Sequence, residues 1–409
     1  MSTAERRLTE TIRAEGARIL ATLVRIVGDL HVAEDAVQEA AIRALRQWPV
    51  TGVPSSPRAW LTVTARRAAI DSLRREGARF EKERAAVELH LDDDPPEDVI
   101  NDDLLRLIFT CAHPALSLEA QVTLALRVLC GLSTTQIAAV LLSTESAVAK
   151  RLTRTRAKIA RAGIPYRVPA TTDLPERLSA VCAVVYTLYT SAHTATGGRQ
   201  LSDVDGCREG VRLARLVCTL MPDEVAPMSV LSLLLLTEAR RDARTDADGN
   251  PIVLAEQNRA AWNAAEIDEG RRLLDASLRR CEGIADPYQL QAAIAAIHDT
   301  APSYRETDWA EIVRLYDLLI QVHPNSAARL GRAVAVAEHS GVAAGLALLD
   351  EIAPDHRWHA VRAELLARDG RHAEAIDAMA ASLAGPASVS DAEAQHRRRL
   401  ITRWNAQVQ

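Results

Sequence analysis

Residues 132–160, "LSTTQIAAVLLSTESAVAKRLTRTRAKIA", constrain the fold of this chain more than any other segment. Ser133 followed three residues later by Gln136 is the pattern of a capping box at a helix start. Thr144 can cap a second helix, and Glu145 then lies in its positive first turn. Leu142 and Ser143 form a short turn between the two. The segment therefore predicts a helix-turn-helix.

The second helix of this pair has two faces of different chemistry. Its apolar face carries Val148, Leu152, Thr155 and Ile159 at helical spacing. The other face carries the polar and small residues Thr144, Ser146, Ala147, Lys150, Arg151, Thr153, Arg154 and Arg161. This order suits a helix that enters the major groove by its amino-terminal end. Early side chains would reach base edges, and later cations would meet phosphate.

The charge distribution decides whether this basic helix is more than solvated surface, which is the commoner explanation of such a run. The chain of 409 residues has a net charge of -5. Residues 66–75 carry four Arg and one Asp, whereas residues 76–103 carry eleven acids and three Lys or Arg. Two basic blocks thus flank an acidic segment, a pattern that the net charge hides.

Composition indicates the fold class and the cellular setting. Aromatic residues make up only 3% of a chain rich in Ala, Leu and Arg, which favours many helices packed through small side chains. The six cysteines show no zinc-finger or CxxC spacing, so we expect reduced thiols and no metal or other cofactor. The first residues lack a signal sequence, and no apolar run could span a membrane. We therefore predict an all-α, cytoplasmic protein that makes no membrane contact.

Two helices are predicted upstream of the acidic segment. Residues 33–48, "AEDAVQEAAIRALRQW", bury a stripe of Ala36, Val37, Ala40, Ala41, Ala44 and Leu45. The exposed side of this helix carries Asp35, Gln38, Glu39 and Arg43. After "PVTGVPSSP", residues 58–75 form a second helix that becomes strongly basic along its length.

Residues 33–75 resemble the second conserved region of the extracytoplasmic-function (ECF) group of bacterial sigma factors, and residues 125–159 resemble the fourth. The match extends over residues 8–163. It implies a promoter-specificity subunit that binds core RNA polymerase through its β′ and β subunits and has no catalytic residues. Double-stranded promoter DNA and the melted −10 strand would be its nucleic-acid partners.

The resemblance assigns roles to particular residues. Asp35, Gln38, Glu39 and Arg43 would bind core polymerase, although an ordinary solvated helix face explains the same charges. The −10 element would meet Arg66, Arg67, Arg74 and Arg75, and Trp60 would either stack on unpaired bases or belong to the core. The −35 element would meet Thr144, Ser146, Ala147, Lys150, Arg151 and Arg154.

The predicted domains follow from these matches. A region 2 domain spans residues 1–80, a linker residues 81–104, a region 4 domain residues 105–165 and a helical extension residues 170–409. An acidic, weakly apolar linker does not fold alone. It is either a solvated tether or, as the resemblance implies, a polyanionic stand-in for nucleic acid within polymerase.

The extension also resembles that of one ECF subgroup, in segments such as "DPYQLQAAIAAIHDTA" and "GRAVAVAE". Residues 369–385 and 325–352 resemble two degenerate tetratricopeptide units. Such members are regulated by the extension, either through a partner protein or through an intramolecular contact. Where the subgroup usually has Glu-Gly, this chain has Ser191-Ala192.

Two other functions are weighed against a sigma factor. A helix-turn-helix regulator with a helical effector domain would have no use for the polymerase-binding helix. An enzyme in the extension would need residues such as Asp248, Arg259 and His298 to converge. The "TDADGN" segment predicts a turn rather than a calcium loop, because Gln257 stands where a loop glutamate would be required.

Overall fold

The computed structural model describes residues 3–75, 97–141, 143–193, 203–384 and 389–408. Within these ranges the regular structure is helical, and the one β feature is an isolated bridge between Thr245 and Pro251. The all-α prediction is confirmed. The chain divides into two compact parts, here called the amino-terminal unit (residues 1–187) and the carboxy-terminal unit (residues 188–409). Most of the predicted linker, residues 81–96, lies outside the described residues.

The amino-terminal unit contains α1 to α7 and the start of α8. Their bounds are Thr3–Val27, Leu30–Thr51, Pro57–Arg75, Glu97–Cys111, Leu118–Val128, Thr134–Val140, Glu145–Ala162 and, for α8, Leu174–His193. Helices α1, α2 and α3 pack on one another, and α4 packs on α1. Alanines at 33, 36, 40 and 44 of α2 are buried, and their small side chains allow close helix approach.

The last eight residues of the predicted linker are helical, whereas the sequence predicted that the linker would not fold alone. Helix α4 begins at Glu97. Leu104 and Leu107 are buried, and the Asp103 side chain is fully enclosed. Arg25 donates to the Asp103 carboxylate at 2.7 Å and Arg106 donates at 3.0 Å. These two arginine partners make it possible to bury Asp103, which the sequence placed in a solvated acidic segment.

The carboxy-terminal unit contains the remaining helices. They are α9 Val204–Leu220, α10 Val225–Glu238, α11 Ala264–Arg280, α12 Pro287–Thr300, α13 Trp309–Val322, α14 Ser326–Ser340, α15 Val342–Leu349, α16 His356–Arg368, α17 His372–Leu383 and α18 Asp391–Val408. Helix α10 is buried over nearly its whole length and packs against α9, α11 and α12. A helix that is apolar on all sides is expected in such a central position.

The end of this unit is built from antiparallel helix pairs. Helices α14 and α15 pack together across Gly341, and α16 and α17 pack together across Gly370. Both glycines have positive φ, 97° and 76°, which other residues rarely adopt. A helix pair thus occupies the predicted repeat at residues 325–352, whereas the one predicted at residues 369–385 contains α17 alone and pairs with α16 before it. Their tetratricopeptide character stays a prediction. None of the helices in the described ranges has the length and hydrophobicity of a membrane span.

Candidate nucleic-acid interface

The helix-turn-helix forms as its capping residues predict. Ser133 and Gln136 exchange hydrogen bonds: the Gln136 amide donates to the Ser133 hydroxyl at 3.2 Å, and the Ser133 amide donates to Oε1 of Gln136 at 2.9 Å. At the start of α7 the Ala147 amide donates to the Thr144 hydroxyl at 3.2 Å. Gly163 ends α7 in the left-handed conformation. Both ends of α7, the predicted reading helix, are therefore fixed by local bonds.

The two faces of α7 divide as the periodicity predicts. Val148, Leu152 and Thr155 are buried against α5 and α6, and Ile159 is half-buried. The residues Thr144, Ser146, Lys150, Thr153, Arg154, Lys158 and Arg161 are exposed, and Ala147 is half-buried beside them. No acid interrupts this exposed row after Glu145. The face is suited to contact a polyanion.

Two cations of α7 point away from this row. Arg151 donates to the carboxylate of Glu119 and to the Thr123 hydroxyl on α5, and its side chain is 20% exposed. Arg156 donates to both oxygens of Glu34 on α2, at 2.9 and 2.8 Å. The guanidinium of Arg151 is thus used inside the protein, which places it differently from the DNA contact that the sequence predicted.

The basic residues of α3 differ in exposure. Arg67 is exposed, and so is Arg74, whose guanidinium lies 3.8 Å from Asp71. Arg66 is half-buried, and burial together with the nearby positive charge of Arg25 lowers the pKa of its guanidinium. Arg75 ends α3, and its side chain lies outside the described residues. Among the α3 arginines with described side chains, Arg67 and Arg74 are the exposed ones and can reach phosphate without rearrangement.

Trp60 packs against another tryptophan. Its ring meets the buried ring of Trp48 edge to face, with centroids 5.5 Å apart. Because Trp60 is half-buried, this contact favours the core alternative over base stacking.

The exposed face of α2 contains apolar residues that sequence reasoning missed. Asp35, Gln38 and Glu39 are exposed, and Glu39 accepts from Arg43 at 2.9 Å. Leu45, predicted to be buried, is 47% exposed, and Ile42 is 43% exposed. The alanine stripe faces the core, and Leu45 lies about 100° around the helix from Ala44. Ile42 and Leu45 therefore add exposed apolar area to the face that carries Asp35, Gln38 and Glu39.

Of the extension residues that an enzyme would need, Arg259 and His298 lie next to each other, while Asp248 lies in an exposed turn. Asp248 is exposed in the turn after Thr245, where Asp246 accepts from the amides of Asp248 and Asn250 at 3.0 and 2.8 Å. Arg259 donates instead to the carbonyl oxygens of His298 and Ala301, at 2.6 and 2.9 Å. Its role is to cap the end of α12.

Metal binding finds no support in the described part of the chain, where no three His, Cys, Asp or Glu side chains could hold an ion together. The carboxylate of Asp246 is used by the amides of its own turn, as the turn interpretation of "TDADGN" predicts.

Three protein families match parts of the chain. The family described as Sigma-70 region 2 matches residues 11–79, and that described as Sigma-70, region 4 matches residues 106–159. A family of unknown function, DUF6596, matches residues 177–278. The residues predicted to bind DNA or polymerase lie in the two sigma ranges, except Arg161, which follows the second range by two residues.

Individual relatives agree with these matches. An uncharacterized protein of Rhizobium meliloti (strain 1021) is 38% identical over 384 residues, covering 91% of this chain and 90% of that protein. The probable ECF RNA polymerase sigma factor SigI of Mycobacterium tuberculosis is 33% identical over 153 residues, which are 36% of this chain and 52% of SigI. The ECF RNA polymerase sigma factor SigL of the same organism is 36% identical over 155 residues, which are 36% of this chain and 85% of SigL. No solved structure matches the chain.

Proposed function

Because this chain belongs to the sigma-70 family, in its ECF group with a long carboxy-terminal extension, we propose that it binds core RNA polymerase and directs initiation at promoters with particular −35 and −10 elements. Sigma factors are non-enzymatic initiation factors, so an enzyme in the sigma regions is excluded. The observation that carries the proposal is one amino-terminal unit that combines an exposed cationic face on α7 with an exposed face on α2, where Ile42 and Leu45 lie among polar side chains.

Recognition of the −35 element is assigned to the exposed face of α7. Ser146, Ala147 and Lys150 lie in the first two turns, where a docked helix meets base edges. Arg154 and Arg161 lie further along and would contact phosphate. Thr144 caps the helix, because its hydroxyl accepts a hydrogen bond from the Ala147 amide. The same hydroxyl would contact DNA while it keeps this bond.

Recognition of the −10 element is assigned to α3. Arg67 and Arg74 would hold the backbone, with Arg66 and Arg75 in supporting positions. Trp60 packs on Trp48 and is not needed for this role. Opening of the duplex would depend on the whole polymerase complex.

Docking on polymerase is assigned to the exposed face of α2. Ile42 and Leu45 would supply apolar area, and Asp35, Gln38 and Glu39 would supply polar contacts around it. The ion pair between Glu39 and Arg43 is exposed and contributes little to folding. Charge on this face can therefore be changed with little effect on the fold.

The carboxy-terminal unit is assigned a regulatory role. Paired helices such as those of α14 to α17 provide surface for a protein partner or for contact with the rest of the chain. We further propose that the protein acts in the cytoplasm, where polymerase is found.

Binding to core polymerase tests this assignment against a helix-turn-helix regulator that does not join the enzyme. Full-length protein and a D35K/E39K variant would be mixed with core polymerase and separated by size exclusion. We expect a stable complex with the wild type and at least tenfold weaker binding by the variant, because two repulsive charges enter the docking face. The control is Glu10→Lys on α1, outside the proposed surface. No complex with wild-type protein would favour the regulator.

A further inference from the structure

The chain between α10 and α11 folds over the carboxyl end of α12 in the carboxy-terminal unit. The Asn263 amide donates to the carbonyl oxygen of Ala239 at 2.8 Å, which closes the base of this segment. Near its end, Nη1 of Arg259 donates to the carbonyl oxygens of His298 and Ala301. Residues that are far apart in the sequence are thereby held together at one end of a helix.

A carboxylate is enclosed beside two arginines at this junction. The side chain of Asp299 is fully buried, and Nε of Arg240 lies 3.4 Å from its Oδ1 atom. The guanidinium of Arg259 stacks over the ring of Trp262, with Cζ 4.4 Å from the ring centroid. His298 precedes Asp299 in α12. The side chains of residues 240, 259, 262, 298 and 299 are here called the Asp299 cluster.

Some buried polar atoms of the Asp299 cluster make no hydrogen bond within the described part of the chain. They are Oδ1 and Oδ2 of Asp299, Nη2 of Arg259, Nε1 of Trp262 and Nδ1 of His298. Buried polar groups are nearly always hydrogen-bonded, because a group that leaves water without a partner destabilises the fold. Several such atoms on neighbouring side chains indicate a site whose hydrogen bonds are completed by another molecule.

The chemistry of these atoms limits what that molecule can be. Nη2 of Arg259 and Nε1 of Trp262 can only donate, so the molecule must carry an acceptor. The ionised Asp299 carboxylate only accepts, so the molecule must also carry a donor. Burial, together with the charges of Arg240 and Arg259, lowers the pKa of His298 to about 4, so this ring is neutral at pH 7. The two arginines of the cluster therefore leave one positive charge that Asp299 does not balance.

We infer that the Asp299 cluster binds a small carboxylic acid with an ammonium or hydroxyl group on the carbon next to its carboxylate. The carboxylate of this ligand accepts from Arg259 and Trp262 and neutralises the surplus charge. Its ammonium or hydroxyl group donates to Asp299. The two groups are adjacent in the ligand because Arg259 and Asp299 belong to one cluster. Arg240 makes no hydrogen bond to Asp299 among the described contacts, so it can move to admit the ligand.

Ligand-detected NMR on the full-length protein tests this site with matched pools of small molecules, and calorimetry then measures the affinity of each hit. The pools are L-2-amino acids, L-2-hydroxy acids, the same acids without the 2-substituent, and the corresponding amines without a carboxylate. We expect binding by the amino-acid or the hydroxy-acid pool, and binding about tenfold weaker or less by the other two. Binding by amino acids alone identifies an ammonium as the donor, and binding by hydroxy acids alone identifies a hydroxyl.

Two conservative variants locate the binding. Asp299→Asn keeps the shape of the side chain and removes its charge, and Arg259→Lys keeps a donor for the α12 carbonyls and removes Nη2. Each should weaken binding of the best acid by about tenfold or more. Arg259→Lys keeps the test decisive if Asp299→Asn folds poorly. The matched control is Asp350→Asn, which removes a carboxylate from an exposed pair with Arg362 and should leave the affinity unchanged.

Three results would overturn the inference. Binding by none of the pools would leave ordered water as the partner of these atoms. Equal binding by the acids without a 2-substituent would remove the donor to Asp299, and affinities that neither variant changes would place the ligand elsewhere. Each of these results leaves the proposed function standing, because no polymerase or DNA enters the measurement.

Discussion

Lys150 and Arg154 lie one helical turn apart on the exposed face of α7, yet we expect different effects on DNA binding. Lys150→Ala should change which bases are preferred at the −35 element, because this side chain is placed to reach base edges. Arg154→Ala should weaken binding to all sequences and lower the slope of log affinity against log salt by about 1.

Binding of the holoenzyme to a randomised −35 library at several salt concentrations separates the two effects. A Lys150→Ala variant that weakened every sequence equally would place Lys150 on phosphate and contradict this division.

His193 of the carboxy-terminal unit should make the fold sensitive to acid. Its buried ring stacks on Tyr189, and burial, with the positive charges of Arg244 and Arg240, lowers its pKa to about 3. In the unfolded chain His193 keeps its ordinary pKa of 6.5. Between pH 6.5 and pH 3 the unfolded chain therefore binds a proton at His193 that the folded chain does not bind. Stability is therefore full above pH 6.5 and falls as the pH drops towards 3.

At pH 5 the free energy of unfolding should be lower by on the order of 2 kcal/mol because of His193. His193→Phe should remove it, as measured by urea unfolding of the full chain at pH 7 and pH 5. Burial raises the pKa of Asp299 to about 6, which acts in the opposite direction in both proteins. The comparison between them cancels that contribution. Equal losses in wild type and variant would contradict the assignment.

At the scale of elements, the packing of α15 on α14 depends on Gly345. A β-carbon built there would lie 2.5 Å from Cβ of Ala337 and 2.7 Å from the carbonyl oxygen of Ala333. Neither neighbour can move without shifting α14. Gly345→Ala should therefore lower the free energy of unfolding by about 1–3 kcal/mol in denaturant titrations. Ala347→Ser, on the exposed side of α15, is the control and should change it by less than about 0.5 kcal/mol.

The bond between α7 and α5 gives a second prediction at this scale. Arg151→Ala should weaken −35 binding, because Arg151 holds the reading helix to Glu119 and Thr123. Its charge is already compensated by Glu119, so the salt slope should stay as in the wild type. A slope lowered by about 1 would return Arg151 to the phosphate contacts that the sequence predicted.

Interactions between residues close together in the chain determine most of the helix-turn-helix, and for this reason the sequence predicted it. Capping by Ser133 and Thr144 and the buried face of Val148 and Leu152 depend on neighbours within a few residues. Arg151 and Arg156 form ion pairs with Glu119 and Glu34, which are distant from them in the sequence. The helical periodicity of α7 does not reveal such long-range partners. Leu45 was wrongly predicted to be buried. The alanines of α2 fill its contact with the core, which leaves Leu45 exposed.

The acidic segment shows the same limit. Its charge predicted a tether as far as residue 104, but the apolar spacing in "LLRLIF" continues helix α4 and encloses Asp103. A buried acid with two arginine partners cannot be told from a solvated one by composition. The turn at "TDADGN" was predictable, since Asp246 bonds only to residues beside it in the chain.

At the scale of the whole molecule, the chain consists of two helical units. The amino-terminal unit contains both sigma regions in contact, and the carboxy-terminal unit contains the helix pairs of the extension. The surface of the second unit is the part of the chain to which we assign regulation.

Run-off transcription from a genomic library tests the central claim most directly. Core polymerase alone and core polymerase with the full-length protein would be compared, and the 5′ ends of the products mapped. We predict defined start sites that need the protein, share a −35 and a −10 element, and disappear with the D35K/E39K variant. Transcripts that are the same with and without the protein would contradict its assignment as a promoter-specificity subunit.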